Sequence, residues 1–340
     1  MADSSTELID ITVSIDGKEV QLQVSQDIYQ KVIQKDQATL DLICASVGEN
    51  SSKQQSSQDL SNVVHQEDSE QSCQDKGKVC ACKGIRTCSL CESIGKESVV
   101  PIKKDATIYS YCYQCKKAWS TATGPHPQHS GHTIDFPGIY IQENFISEDE
   151  ESSIMSDIYK APFIDSQSGR RKQDFGPKVN FKKKKLKTAN FSGLPPFSKD
   201  LLAKMQASEI LQDFIPVEQC HLEYTPERGS AIDPHFDDFW VWGERLVTIN
   251  LLSDTELCFT MDSKPDIEVH VPMNRRSLLV VYGKARTVWK HAIHRSDIKD
   301  KRIAVTLREL SKEFSKNGPR EAEGKSLLDI ALTFNGVPVA

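Results

Sequence analysis

After residue 215 the chain breaks into short, strongly apolar or alternating runs: Val217 to Tyr224, Arg245 to Leu252, Ile267 to Val271, Ser277 to Tyr282, Thr287 to Ile293 and Arg302 to Leu307. Runs of this length, separated by turn-forming residues, read as strands, and a succession of them closes into a sandwich or barrel. The preceding stretch has a different period. Ile139-Tyr140-Ile141 reads as one strand, and Ser147 with Glu150 forms a capping box for a helix bearing Ile154, Met155 and Ile158. A second helix is expected through Leu201, Leu202, Met205, Ile210 and Leu211, and a last amphipathic one at Leu327, Leu328, Ile330 and Ala331, packed on the outside. The expected fold class is α+β, a β core with flanking helices, in a main domain over residues 133–340.

Three smaller units precede it. Ile9, Ile11, Val13 and Ile15, then Asp16-Gly17, then Val20, Leu22 and Val24 predict a β-hairpin with a tight turn. Ser25 caps a following helix with Ile28, Val32, Leu40 and Ile43, which completes an accessory module over residues 1–45. An interaction module and a dimerisation appendage are both compatible with it. Residues 46–79 hold eight Ser, six Gln and no aromatic residue; such a stretch cannot bury enough surface to offset chain entropy, so a disordered linker is expected. A cysteine-rich module over residues 80–132 comes next.

There is no charged-then-apolar leader and no apolar run near membrane-spanning length, so neither secretion nor a membrane partner is expected. Ten cysteines without a leader point to a reducing compartment, cytoplasm and nucleus, and to metal ligation rather than disulfides. The net charge of −6 hides an asymmetry: residues 165–187 hold nine Lys/Arg against two Asp, which leaves the rest of the chain at −13. That excludes a uniformly basic nucleic-acid coat but allows one basic patch.

Asp233-Pro234-His235-Phe236-Asp237 sets an imidazole and a carboxylate two apart. On extended backbone both point to one face and can reach one ion. Alone, such a pair is also an ordinary surface turn; a third ligand must come from another strand. Thr287 to Arg295 offers His291 and His294. In an extended reading Trp289, His291 and Ile293 share a face, and the company of Trp and Ile makes that the buried one, so His291 is the expected ligand and His294 lies at the rim. Two histidines and a carboxylate on one triangular face suit iron(II) and leave positions open. Arg302-Ile303-Ala304-Val305-Thr306-Leu307-Arg308 then puts two arginines on one face of a strand. Facing a core, they would need anionic partners, and an oxo diacid is one that a guanidinium fork holds well.

The order His235-x-Asp237, His291-Ala-Ile, Arg302-x5-Arg308, preceded by Tyr224-x-Pro226, resembles the AlkB family of oxidative demethylases over about Phe136 to Leu310. Gln167-Ser-Gly-Arg-Arg-Lys-Gln-Asp-Phe-Gly176 and Glu227-Arg-Gly-Ser-Ala-Ile-Asp-Pro-His235 are similar to the animal alkB homolog 4 group in particular. The resemblance implies a double-stranded β-helix (jelly-roll) core and iron(II) held by His235, Asp237 and His291. It implies 2-oxoglutarate bound through Tyr224, Arg302 and Arg308, with Arg302 on the distal carboxylate, and O₂ as cosubstrate. The activity it implies is oxidative removal of N-methyl groups with release of formaldehyde. Leu222 and Ala304 stand where the family often has Asn.

Cys80-Ala-Cys82-x5-Cys88-Ser-Leu-Cys91 packs four thiols into polar surroundings, which points to structural zinc. Cys88 and Cys91 with Cys112 and Cys115 make an alternative, ribbon-like pairing; the resemblance favours the first set. The basic run over residues 170–187 has three readings: a solvated loop, a nuclear localisation signal at Lys182 to Lys187, or a substrate lid using Arg170, Arg171, Phe175 and Lys178, as AlkB relatives carry such a loop. Phe239, Trp240 and Trp242 follow the iron ligands and could wall a narrow pocket, one that suits an N-methylammonium and would stack a base equally well, with Asp238 and Glu244 welcoming a cation and discouraging phosphate. The favoured substrate is therefore methyl-lysine in protein, an actin-type partner being implied by the resemblance. N6-methyladenine in DNA, contacted through the basic loop, is the alternative. A catalytically idle scaffold is the reading from a different class.

Overall fold

The computed structural model describes residues 8–15, 18–25, 80–82, 87–93, 106–121 and 126–339. Leu8–Ile15 (β1) pairs antiparallel with Lys18–Ser25 (β2), Leu8 opposite Ser25 and Ile15 opposite Lys18. The hairpin's turn, the helix expected at 28–43 and the linker at 46–79 lie outside the described residues. The chain divides into two compact units, Met1–Lys76 and Gly77–Ala340. The hairpin belongs to the first, and every other described residue to the second.

In the second unit a single helical turn, Ser89–Glu92 (α1), precedes an antiparallel trio: Thr107–Cys112 (β3), Lys117–Thr121 (β4) and Ser130–Asp135 (β5). Ile139–Gln142 (β6) leads to the helix Glu148–Ile158 (α2), which is capped as its sequence requires: the Ser147 hydroxyl accepts from the Glu150 amide, and the Glu150 carboxylate accepts from the Ser147 amide. Ile164–Asp165 (β7), Arg171–Phe175 (β8) and the small hairpin Lys178–Asn180 (β9) with Lys185–Lys187 (β10) come next. The second expected helix is shorter than its apolar pattern, Ser198–Met205 (α3), with a 3-10 turn over Glu209–Leu211.

The β-rich half then begins: Pro216–Tyr224 (β11), Ile232–His235 (β12), Trp242–Leu251 (β13), Thr255–Met261 (β14), Lys264–Met273 (β15) and Leu278–Val281 (β16). A short helix Gly283–Thr287 (α4), strands Lys290–Ile293 (β17) and Arg302–Leu310 (β18), and a closing helix Glu321–Ala331 (α5) complete the fold. The run expected to be extended from Thr287 thus begins with a helix end, and its strand starts at Lys290.

Apart from the β1–β2 and β9–β10 hairpins, the described strands form two seven-stranded sheets, ordered β6-β16-β13-β18-β11-β8-β7 and β12-β17-β14-β15-β3-β4-β5. The first is sided by period 2. From β18, Ile303, Val305 and Leu307 pack with Val247, Ile249, Leu278 and Val280 against Ile154, Met155, Leu201 and Met205 of α2 and α3. The alternate residues turn inward: Tyr224, Leu246, Leu279, Val281 and Ala304 meet Phe259, Val269, Val271, Trp289 and Ile293 of the second sheet. This is the double-stranded β-helix core. A third cluster joins α5, through Leu327 and Ala331, to Val217, Trp240, Trp242 and Phe314. Strands β3–β5, drawn from the stretch expected to form the Cys-rich module, instead extend the second sheet, β3 pairing parallel with β15.

Candidate active site and two thiol clusters

The inner face of β18 supplies Arg302, Ala304, Thr306 and Arg308 to a cavity between the sheets, which Tyr224, Leu222, His235, Asp237, His291 and Met273 also line. Register places the two histidines side by side: His235 of β12 is opposite His291 of β17, and their ring centroids are 4.3 Å apart. His235 Nδ1 lies 2.8 Å from the Asp233 carbonyl oxygen. That oxygen only accepts, so Nδ1 carries the proton and Nε2 keeps its lone pair for a metal. Burial holds both imidazoles neutral, lowering His235 and taking His291 down to about 3.

Asp237 is half-buried beside them. Desolvation pushes its carboxyl up, but the Arg308 guanidinium outweighs it by charge and hydrogen bond, and the group stays ionised well below the usual carboxylate range. Arg308 reaches its two oxygens from Nε and Nη2, each at 3.3 Å, and binds Glu218 through Nη1 at 2.6 Å. Arg286 Nη1 adds a 2.9 Å bond to the Asp237 carbonyl. Among the described residues, the His235–Asp237–His291 set is not one of the clusters whose donor atoms all lie within 4.8 Å of one another; Asp237 instead gives both oxygens to Arg308.

Arg302 differs from Arg308 in what it lacks. It is 2% exposed, opposite Tyr224 across β11 and β18, with its guanidinium carbon 4.9 Å from the Tyr224 ring centre. Asn250 Oδ1 accepts from Nε at 2.6 Å, while Nη1 is buried with no partner among the described residues. A buried cation with an idle N–H facing a cavity is costly, and burial alone lowers its affinity for its proton. An anionic group at this end of the cavity removes that cost. Two imidazole lone pairs, a carboxylate and a buried orphan guanidinium therefore fit iron(II) and an oxo diacid. Asn250, Glu218 and Arg286 do not stand out in the sequence. Asn250 sits opposite Ala304 across β13 and β18, so the amide absent at 304 is supplied from the neighbouring strand.

The four thiols Cys80, Cys82, Cys88 and Cys91 form a cluster with donor atoms all within 4.8 Å of one another, and Cys112 and Cys115 are not part of it. The set matches a closed tetrahedral ion such as zinc. The cluster is tied to the loops flanking the cavity: the Ser168 amide donates to Cys82 Sγ at 3.2 Å, the Ser89 amide to the Arg228 carbonyl at 3.2 Å, and Arg295 pairs with Glu92 at 2.6 Å.

Two expectations need correction. The lid residues do not share a loop. Arg171 and Phe175 belong to β8, hydrogen-bonded to β11; Arg171 pairs with Glu223 directly opposite, and Phe175 packs on His221 at 4.9 Å. Lys178 is exposed in β9, and of the four only Arg170, buried and 6.0 Å from the Tyr224 ring centre, lies by the cavity. The charges masked a strand in which Arg171 pairs across to Glu223 of its neighbour. Nor do Trp240 and Trp242 wall the pocket: both turn into the cluster beneath α5. Phe239 is exposed beside Phe236, and its face already carries Arg286 at 4.5 Å. Asp238 and Glu244 are exposed, and Glu244 accepts from the Gly283 amide.

The fold and cavity define an iron- and oxo-acid-dependent dioxygenase. No family model matches the chain, but relatives do. It is 44% identical over 289 residues to the human alpha-ketoglutarate-dependent dioxygenase alkB homolog 4, covering 76% of this chain and 95% of that one. The mouse protein of the same description is 42% identical, with 76% and 96% covered. A Caenorhabditis elegans protein described as a DNA N6-methyl adenine demethylase is 36% identical, with 71% and 90% covered. The chain belongs to the alkB homolog 4 family of iron(II)/2-oxoglutarate dioxygenases, and its cofactors are iron(II), 2-oxoglutarate and O₂.

Proposed function

We propose that this chain removes N-methyl groups oxidatively, with His235, Asp237 and His291 holding the iron and Arg302 and Tyr224 receiving the distal carboxylate of 2-oxoglutarate. The observation that carries the reading is the buried Nη1 of Arg302, without a partner among the described residues, in a cavity that two neutral imidazoles also line. Iron with oxoglutarate and O₂ supplies the oxidant for a C–H bond. The chain's own residues do the rest. Asp233 fixes the His235 tautomer. Arg308 keeps Asp237 ionised, and Glu218 anchors Arg308 from the far side. Leu222, Leu246, Met273 and Val281 give the cavity apolar walls.

For the substrate we propose a methylated lysine of a protein, actin-like by the resemblance, encountered in cytoplasm and nucleus. The acidic charge outside residues 165–187 and the exposed carboxylates Asp238 and Glu244 support a cationic partner over a phosphate backbone. With Arg286 on Phe239, an aromatic box is not part of that support. The second reading is N6-methyladenine in DNA, favoured by the description of the nematode relative and by the basic hairpin β9–β10. The test offers methyl-lysine peptide and methyladenine oligonucleotide at equal concentration and follows succinate and formaldehyde at about 50 and about 200 mM salt. We expect faster release from the peptide with weak salt dependence. Faster turnover of the oligonucleotide with a steep salt loss sinks the protein reading, and no succinate with either leaves a scaffold.

A further inference from the structure

The loop end of the β3–β4–β5 extension holds a cluster that the reaction does not use. Cys112 closes β3 and Cys115 lies in the turn to β4, where Lys116 takes the left-handed conformation (φ 55°) that folds the chain back on itself. His126 and His129 lie just before β5. Two ligand pairs from two connections, in the order Cys-x2-Cys-x10-His-x2-His, thus meet at one end of a three-stranded sheet. The four donor atoms all lie within 4.8 Å of one another.

Three features set this apart from an ordinary polar cluster. The spacing is close to ligation: Cys112 Sγ and His126 Nδ1 are 3.9 Å apart, where thiolate sulfur and imidazole nitrogen on one tetrahedral zinc stand about 3.6 Å apart. His129 Nε2 is buried and finds no hydrogen-bond partner among the described residues. A buried polar atom without a partner calls for an ion or a water. Finally, the surroundings orient the ligands. The Trp119 indole N–H donates to Cys115 Sγ at 3.3 Å, and the same indole stacks on the His129 ring at 5.3 Å between centres. An N–H directed at sulfur steadies a thiolate, as outer hydrogen bonds do at metal sites. Carboxylates are absent from the set, which disfavours magnesium and calcium, and two sulfurs with two imidazoles suit tetrahedral zinc.

We propose that Cys112, Cys115, His126 and His129 bind a second structural zinc ion, separate from the Cys80–Cys91 cluster and from the iron. All four positions are filled by protein, so the site is closed and non-catalytic. It pins the connection before β5 to the β3–β4 turn, at the outer end of the sheet that carries His235 and His291 five and four strands away.

The test counts zinc in the full-length chain on a His291→Ala background, so that zinc cannot enter the iron site. Cys115→Ser and His129→Ala should each lower zinc by about one ion per chain. Cys88→Ser, in the other thiol cluster, should leave this ion in place, and combining it with Cys115→Ser should remove about one ion more than Cys88→Ser alone. Equal zinc in Cys88→Ser and in the combined variant overturns the proposal. Because a variant can lose metal by misfolding, the unsubstituted sites are also read directly with cobalt(II). Cys88→Ser refilled with cobalt should show the d–d bands of a tetrahedral two-sulfur, two-nitrogen site. A six-coordinate spectrum overturns the proposal too.

Discussion

His291 and His294 stand three residues apart and lead opposite lives. His291 looks inward from β17, beside His235 and opposite Phe259 of β14, and burial takes it down to about 3. His294 belongs to the other side of the sheet, where Cys258, Glu268 and His270 gather. There Cys258 and Glu268 raise His294 to about 10, while His270, despite burial, is raised to about 12 by Cys258, Glu256 and Glu268. Three residues apart, desolvation makes one histidine a neutral lone-pair donor, while Cys258 and Glu268 make the other a cation. Charge state follows from the face, not from the residue type.

Substitution puts this contrast under the most severe strain. His291→Ala should abolish iron-dependent oxoglutarate turnover, as should His235→Ala and Asp237→Ala, whereas His294→Ala should keep most of it. Succinate formation is the measurement. An inactive His294→Ala beside an active His291→Ala would reverse the assignment of faces.

The next effect is smaller and tests the far end of the same inner face. Arg302→Ala removes the guanidinium that has an idle N–H, so it should raise the oxoglutarate requirement on the order of a hundredfold, about 3 kcal/mol, with iron binding little altered. Titrating oxoglutarate against turnover reads the first, and iron content the second. An unchanged requirement means the distal carboxylate is held elsewhere.

That these two residues could be picked from the sequence reflects period 2. In β18 the inward set Arg302, Ala304, Thr306 and Arg308 and the outward set Ile303, Val305 and Leu307 are separable by eye, and the phase of Trp289, His291 and Ile293 is equally plain. Period fails where both faces are covered or where charge disguises a strand. Thr255–Met261 is a central strand with no alternation to betray it. Arg171–Phe175 reads as a basic loop because Arg171 finds Glu223 only once the strands are aligned. Side-chain destinations after a turn are also illegible: Trp240 and Trp242 are two apart, near the iron ligands, and yet pack with Phe314 and Leu327 from the far C-terminal region. Asn250 and Glu218 act on Arg302 and Arg308 through strand pairing, which no local pattern reports.

The smallest effect extends the contrast to folding. His221, remote from the iron ligands in sequence, is buried and lowered to about 3 by that burial. Its network admits only the neutral ring: Nδ1–H donates to Gln173 Oε1 at 2.7 Å, and Nε2 accepts from Gln219 Nε2 at 2.8 Å. A depressed histidine binds its proton in the unfolded chain first, from an unfolded value of about 6.5. Between that value and about 3 the unfolded state holds more protons, so stability falls as pH falls. His270 and His294 carry the opposite sign. Their folded values are raised, the folded state holds more protons above about 6.5, and stability falls as pH rises from there. Stability should therefore peak near neutrality, with the two limbs owed to the two kinds of histidine. His221→Gln should flatten the acid limb by up to about 1.4 kcal/mol per pH unit. His270→Gln should flatten the alkaline limb by less, since its partner Glu256 is partly open to solvent and screened. Urea unfolding of the full chain between about pH 4 and about 9 reads both slopes. An acid limb unchanged in His221→Gln would show that this ring already carries its proton in the native state, and the burial argument for neutral inner histidines would lose its cleanest case.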